Sequence, residues 1–146
     1  MMRPSRIQTL AALLLVALAV GTSRAAAPAY RVIVNPANGS TALDRRFLTE
    51  AFLKRSTRWP GGETIRPVDL DSDSAVRRRF SEDVLNRSVS AVKSYWQQMI
   101  FSGRAIPPPE LETDEQVMRY VAKHAGAIGY VSGAGDLVGV KAVALK

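Results

Sequence analysis

Residues 113–131, TDEQVMRYVAKHAGAIGYV, decide the fold class of this chain. Thr113 is followed three residues later by Gln116, a capping-box spacing that predicts a helix over Asp114–Lys123. The apolar run at residues 127–131 follows after a short break that contains glycine, and it has the composition of a buried strand. A single helix that leads directly into a buried strand is the unit from which α/β folds are built.

The amino-terminal half of the domain begins with the same alternation. Tyr30–Val34 (YRVIV) is rich in β-branched residues and predicts a strand, which the turn-forming residues 35–39 would end. Apolar residues then recur at helical spacing from about Leu43, and they predict a helix that Ser40 or Thr41 would cap.

The remaining segments continue the pattern. Residues 64–70 (TIRPVDL) predict a second strand, in which Pro67 indicates an edge position or a bulge. The helix-start residues at 71–74 then open a helix, and a second helix follows over Val89–Phe101. Residues 137–145 predict the last strand. Short strands that alternate with single helices predict an α/β layer fold rather than a bundle or a sandwich.

The amino end predicts export. Residues 1–25 combine a start with two arginines, an unbroken apolar run at residues 10–20 and small residues at 25–29, which is the pattern of a secretory signal peptide. A transmembrane anchor is the alternative, but a span needs about 20 apolar residues, and this run has about half as many. We therefore expect cleavage between about residues 25 and 29 and a mature domain at residues 30–146, without a membrane span.

Charge and cysteine content limit the function classes. A chain cut after residue 25 keeps 17 of its 20 basic residues against 13 acidic ones. This modest excess suits an anionic ligand or an envelope surface, and it is too diffuse to indicate a nucleic-acid partner. Because the chain has no cysteine, disulfides, thiol nucleophiles and zinc-thiolate sites are excluded.

Candidate catalytic and metal groups are few. The single histidine, His124, lies near the end of a predicted helix and is expected to be a capping or a surface residue, with no partner at metal-ligand spacing. Four acidic residues are expected to form a solvated helix start: Glu110, Glu112, Asp114 and Glu115. The sequence has no Gly-x-Ser-x-Gly, Walker or HExxH motif. We therefore expect no enzyme, no catalytic residue, no metal and no cofactor.

Four segments, in this order, resemble the phosphate-type substrate-binding proteins of ABC transporters. They are residues 47–59 (FLTEAFLKRSTRW), residues 70–80 (LDSDSAVRRRF), the pair Tyr95-Trp96 with residues 101–103 (FSG), and residues 125–131 (AGAIGYV). The resemblance implies a single lobe of a type II periplasmic binding protein, with a small mixed sheet flanked by helices. It also implies a periplasmic protein that binds phosphate or a similar oxyanion and works with an ABC transporter permease or with a second copy of itself.

Two predicted helix starts supply the candidate ligand-binding residues: Ser40 and Thr41 before the first helix, and Ser72, Asp73 and Ser74 before the second. A helix start offers unpaired N–H groups and a partial positive charge to an oxyanion, and hydroxyls beside it add donors. Helix capping alone is the other interpretation of these residues. The alternative function is a ligand-free protein-interaction module of the cell envelope that retains the binding-protein fold.

Overall fold

A five-stranded sheet forms the centre of the fold in the computed structural model, which describes residues 25–146. The strands of the chain are β1 (Tyr30–Val34), β2 (Ala42–Leu43), β3 (Arg66–Pro67), β4 (Asp69–Leu70), β5 (Glu110–Leu111), β6 (Ala127–Ser132) and β7 (Lys141–Leu145). The helices are α1 (Arg45–Phe52), α2 (Ala75–Phe80), α3 (Val89–Phe101) and α4 (Asp114–Lys123), and a π-helical turn, Ser81–Leu85, continues α2. The predicted signal peptide lies outside the described residues, apart from Ala25.

The sheet is mixed, as the resemblance implies. Its strand order is β2-β7-β1-β6-β3, and β4 pairs with β5 in a separate two-stranded sheet. The central strand β1 is antiparallel to both neighbours, β6 and β7, whereas the edge strands β2 and β3 run parallel to the strands beside them. The predicted α/β fold class is therefore confirmed.

Helix α4 lies close against β6, and a glycine makes the close approach possible. A Cβ atom on Gly129 would lie 2.9 Å from a methyl carbon of Val117 in α4 and 2.9 Å from one of Val68. All three residues are buried in the core, where packing is as dense as in a crystal. The glycine in the AIGYV strand is thus a packing requirement.

Buried aromatic rings join the two sides of the core. The rings of Phe80 and Tyr130 are stacked, with centroids 3.9 Å apart and planes 9° apart. Phe52 packs on Phe80 at 4.8 Å, and Tyr30 meets Phe80 edge-on at 5.5 Å. This cluster connects α1 and α2 with the central strands, and it accounts for the apolar stripe that the sequence shows on both helices.

Several predicted elements are confirmed with their bounds. Tyr30–Val34, Val89–Phe101 and Asp114–Lys123 form the predicted strand and helices. The capping box at α4 is partly as predicted: Thr113 Oγ1 accepts from the N–H of Gln116 at 3.2 Å, but Gln116 Oε1 accepts from Glu112 N–H rather than from the cap residue.

The predicted start and cap of the first helix are wrong. Ser40 and Thr41 cap no helix, because α1 begins at Arg45 and its N-cap is Asp44, whose carboxylate accepts from Phe47 N–H at 2.6 Å. Pairing with β7 takes the preceding residues into the sheet: Ala144 N–H donates to Thr41 O at 2.9 Å. A contact with a strand about one hundred residues away has overridden the local helical pattern.

Two predicted strands are shorter than expected. The segment at 64–70 divides into β3 and β4, with Pro67 in the edge strand that its missing N–H predicts. The final strand begins only at Lys141. Within residues 25–146, none of the helices combines the length and the apolarity needed to cross a bilayer.

Candidate functional site

The predicted ligand residues lie in two separate places. Ser40 and Thr41 precede β2, one edge of the five-stranded sheet, whereas Ser72, Asp73 and Ser74 follow β4, which continues from β3 at the other edge. The two groups therefore cannot hold one small anion between them.

The segment 71–74 before α2 is a loop whose shape is fixed by its own hydrogen bonds. Ser74 is the N-cap of α2, and its Oγ accepts from Arg77 N–H at 3.2 Å. Asp71 Oδ1 accepts from Asp73 N–H at 2.8 Å, and Asp71 O accepts from Ser74 N–H at 3.0 Å. The predicted capping by Ser74 is confirmed.

Donors remain at this helix start. The first amides of a helix, here those of Ala75 and Val76, have no carbonyl partner within the helix. Within residues 25–146, the half-buried Ser72 hydroxyl also has no side-chain hydrogen bond to another residue. Because the π-helical turn continues α2 without a break, the helical segment runs from Ala75 to Leu85, and its amino end faces this loop.

A buried ionic network supports the loop from below. The Arg77 guanidinium donates to Leu70 O at 2.6 Å and pairs with Glu110 Oε1 at 2.9 Å, while Asp69 Oδ2 lies 3.7 Å away. The Tyr130 hydroxyl donates to Asp69 Oδ1 at 2.8 Å and accepts from Leu70 N–H at 3.3 Å. Each buried polar group thus has a partner, and β4 is held against β5 and β6.

Burial controls the ionisation of this network. Desolvation raises the pKa of Asp69 to about 6, and the opposing effects of Arg77 and of the Tyr130 hydrogen bond do not cancel it. Desolvation, followed by the nearby Asp69 charge, also raises the pKa of Tyr130. Desolvation lowers the pKa of Arg77, but its acidic neighbours raise it more, so the guanidinium stays charged. Arg77 is fully engaged by protein groups.

A second feature, a cavity of about 390 Å3, was not predicted from the sequence. It lies between the turn after β1 and the turn around Pro60, and it contains Ser40. The other lining residues are Ala37, Asn38, Gly39, Trp59, Gly61, Glu63 and Ala125. The two turn signals, NPANG and WPGG, were visible in the sequence, but their juxtaposition depends on the fold.

The lining of this cavity does not suit an anion. Its charged residue is Glu63, and no Lys or Arg belongs to the lining. The backbone N–H of Ser40 is already bonded to Asn38 Oδ1 at 2.8 Å. The indole of Trp59 donates to Gly126 O at 3.0 Å and packs on Phe47, so its N–H already has a partner within the protein. The geometry thus favours the loop at 71–74 over Ser40 and Thr41 as an anion site.

The remaining candidate groups have structural roles. His124 is the C-cap of α4, and its Nδ1 lies 2.8 Å from Tyr120 O, as expected of a capping residue. The prediction that the acidic cluster is wholly solvated is wrong, because Glu110 pairs with Arg77 and Asp114 accepts from the N–H and hydroxyl of Ser132. In the described part of the chain, no group of three or more His, Cys, Asp and Glu side chains could hold a metal ion.

Comparison with solved structures identifies the architecture. The fold is similar to an ABC-type phosphate transport receptor from Vibrio cholerae, with a TM-score of 0.62 and 21% identity over 80% of this chain and 46% of the receptor. A Clostridium perfringens protein, assigned as a phosphate ABC transporter substrate-binding protein and solved with bound phosphate, matches with a TM-score of 0.62 and 20% identity over 80% of this chain and 44% of its own. PstS from Borrelia burgdorferi matches with a TM-score of 0.59 and 13% identity over 81% of this chain and 47% of its own.

The similarity is one of fold and covers part of each neighbour. The chain spans less than half the length of these solved proteins. No protein-family model matches the sequence, and none of the curated protein sequences matches it either. The chain therefore has the fold of part of a phosphate-type substrate-binding protein, as its sequence motifs imply.

Proposed function

We propose that this chain is an oxyanion-binding protein of the cell envelope that holds phosphate, or a similar small anion, without converting it. The observation that carries the proposal is the similarity in fold to transport receptors, one of which was solved with bound phosphate. Those neighbours are transport proteins, which favours binding over catalysis.

The anion would lie at the amino end of α2. Ser72 offers a hydroxyl, and the amides of Ala75 and Val76 offer unpaired donors that the helix dipole makes more positive. Ser74 can still donate its hydroxyl proton while its oxygen caps the helix. Preorganised donors lose little freedom on binding, which favours affinity.

The acidic residues of the loop would set the selectivity. Asp71 and Asp73 repel a fully ionised anion, but a carboxylate there could accept a hydrogen bond from a phosphate that keeps a proton. Sulfate has no such proton at neutral pH. We therefore expect phosphate to bind more tightly than sulfate, and binding to weaken as pH rises through the second phosphate ionisation.

Titration of the chain from Ala25 onward, followed by amide NMR shifts, tests this site. Phosphate should shift the amide signals of residues 72–76 in a saturable way, and Ser72→Ala should weaken binding roughly tenfold by removing one charge-assisted hydrogen bond. Ser94→Ala is the matched control, because it removes an exposed serine hydroxyl on α3. Uniform small shifts that do not saturate at millimolar phosphate would contradict anion binding, and saturable shifts near Ser40 and Thr41 would move the site there.

The alternative, a ligand-free interaction module, is favoured by one observation. The loop at 71–74 keeps its shape without an anion, because Asp71 accepts from the amides of Asp73 and Ser74, and the Ser74 hydroxyl oxygen caps α2 by accepting from Arg77 N–H. A chain that ignores phosphate and sulfate yet co-purifies with an envelope protein after crosslinking would support this function over the first.

Export and the transporter are part of the same proposal. Residues 1–25 would direct the chain to the periplasm, and an ABC transporter permease or a second copy of the lobe would complete its function. Cell fractionation with amino-terminal sequencing tests the first part. A periplasmic product that starts between about residues 26 and 30 is expected, and an uncleaved product in the cytoplasmic fraction would contradict it.

A further inference from the structure

The carboxyl end of α3 exposes large apolar side chains. Phe101, the last residue of the helix, is 91% exposed, Ile100 is 51% exposed and Ile106 is 70% exposed. Among residues 25–146, the only other large apolar side chain so exposed is Val138, at 71%. Three such residues lie within seven positions of the chain, and apolar side chains exposed close together mark interaction surfaces.

The local backbone holds this cluster together. At the end of α3, Gly103 has a φ of 65°, its N–H donates to Ile100 O at 3.0 Å, and Arg104 N–H donates to Met99 O at 3.0 Å. The chain therefore turns back beside the helix end, and Ile106 follows two residues later. Val92 and Trp96 are the buried residues of α3, and Phe101 projects away from Val92, nine residues earlier on the helix. We call Ile100, Phe101, Arg104 and Ile106 the α3 tip.

The charged residues of the segment that carries the α3 tip are all basic. Residues 84–109 contain no Asp or Glu, and they contain Arg87, Lys93 and Arg104. Lys93 is exposed two turns before Ile100 on the same side of α3. Arg87 lies over the ring of Tyr95, 5.6 Å from its centroid, and Arg55 lies over that ring at 5.8 Å.

An apolar tip rimmed by cations matches the composition of surfaces that sit on anionic membranes. Aromatic and branched side chains enter the boundary between headgroups and acyl chains, while Lys and Arg are attracted to anionic headgroups. A buried contact with another protein would remove water from these cations, which is unfavourable. At a lipid surface the cations stay hydrated and lie close to the negative headgroups.

We infer that the α3 tip docks this protein onto an anionic phospholipid surface. This inference goes beyond the proposed function, because the α3 tip and the amino end of α2 share no residue and either surface can act without the other. Phe101 and Ile106 supply the insertion, and Lys93 with Arg104 supplies the preference for anionic lipid.

Vesicle sedimentation tests the inference on the chain from Ala25 onward, which contains every buried residue of the described core. The apolar run at residues 10–20 must be absent, since it would bind lipid by itself. Vesicles that contain phosphatidylglycerol should pellet the protein, and pure phosphatidylcholine vesicles should pellet far less. Raising the salt from about 0.1 M to about 1 M should weaken binding, because screening shortens electrostatic attraction.

Variants identify the surface. Phe101→Ser should reduce the partition coefficient roughly tenfold, because it removes the largest inserting side chain. Val138→Ser is the matched control, an exposed apolar residue in the loop between β6 and β7, and it should leave binding unchanged. The double variant Lys93→Glu and Arg104→Glu should abolish the preference for phosphatidylglycerol while thermal unfolding stays as in the parent chain.

Three results would overturn the inference. Equal pelleting with neutral and anionic vesicles would remove the role of the cations. Unchanged pelleting of the Phe101→Ser variant would remove the role of the α3 tip. If light scattering shows a dimer that Phe101→Ser converts to a monomer, and no vesicle pellets the protein, then a second copy rather than lipid covers this surface.

Discussion

Replacing Asp69 with Asn should change how stability depends on pH. The folded state raises the pKa of Asp69 from 3.8 to about 6, so between these values the folded protein binds a proton that the unfolded chain has already released. Stability from this group is fully present below its unfolded pKa and is lost as pH rises through its folded pKa. The shift corresponds to a loss of about 3 kcal/mol across this interval.

The sign of this pH dependence follows from the distance between Arg77 and Asp69. The Arg77 guanidinium makes its short contacts with Leu70 O at 2.6 Å and with Glu110 Oε1 at 2.9 Å. Its distance to Asp69 Oδ2 is longer, at 3.7 Å. At this longer distance the attraction of the guanidinium offsets less of the free-energy penalty for desolvating the buried carboxylate. Asn at position 69 keeps an acceptor for the Tyr130 hydroxyl and has no proton to gain or lose, so the variant isolates the charge.

Urea unfolding at several pH values measures the effect. The free energy of unfolding of the parent chain, relative to Asp69→Asn, should fall by up to about 3 kcal/mol between about pH 4 and about pH 7. Asp136→Asn, which removes an exposed carboxylate, is the control for general charge effects. Parallel curves for the parent and Asp69→Asn would refute the raised pKa. An opposite slope would mean that the attraction of Arg77 outweighs burial.

Two further substitutions test the packing and the capping. Gly129→Ala should destabilise the fold by about 1–3 kcal/mol in thermal unfolding, because its Cβ would lie 2.9 Å from a methyl carbon of Val117. Gly39→Ala is the control and should leave stability unchanged, because the space around its Cβ is open. Equal losses of stability in the two variants would argue against overpacking. Asp44→Ala should lower the free energy of unfolding by about 1 kcal/mol, because it removes the cap of α1. If Ser40→Ala lowers stability and Asp44→Ala does not, the capping role predicted for Ser40 from the sequence would be correct.

Elements with a complete local signal were predictable. The helix Asp114–Lys123 has its cap, its apolar stripe and its basic last turn within eleven residues of sequence. The strand β2 has no such signal, because two residues become a strand only by pairing with β7, and β4 likewise depends on β5. Nothing in the sequence near Ala42 specifies which distant strand will be beside it.

The candidate site was predictable in part. The capping by Ser74 follows from residue type and position, but its separation from Ser40 follows from strand order, which the local pattern does not contain. The network below the loop did leave a signal in the sequence. Arg77 stands three residues before Phe80 on the apolar stripe of α2, and a buried arginine requires a carboxylate partner. Asp69, within the apolar segment before the helix, is one of the two carboxylates near Arg77 in the fold.

In the proposed site, the network would let a loop with two acids, Asp71 and Asp73, present donors to an anion. Arg77 fixes Leu70 and Glu110 from inside the fold, so the amide directions at the start of α2 are set before any ligand arrives. Because Asp69 and Glu110 neutralise its charge, Arg77 adds little net attraction for an anion. The local electrostatic field comes from the backbone dipoles. A site of this kind selects by hydrogen-bond pattern rather than by charge. Discrimination between phosphate and sulfate is therefore the property that separates a binding lobe from one that retains only the fold.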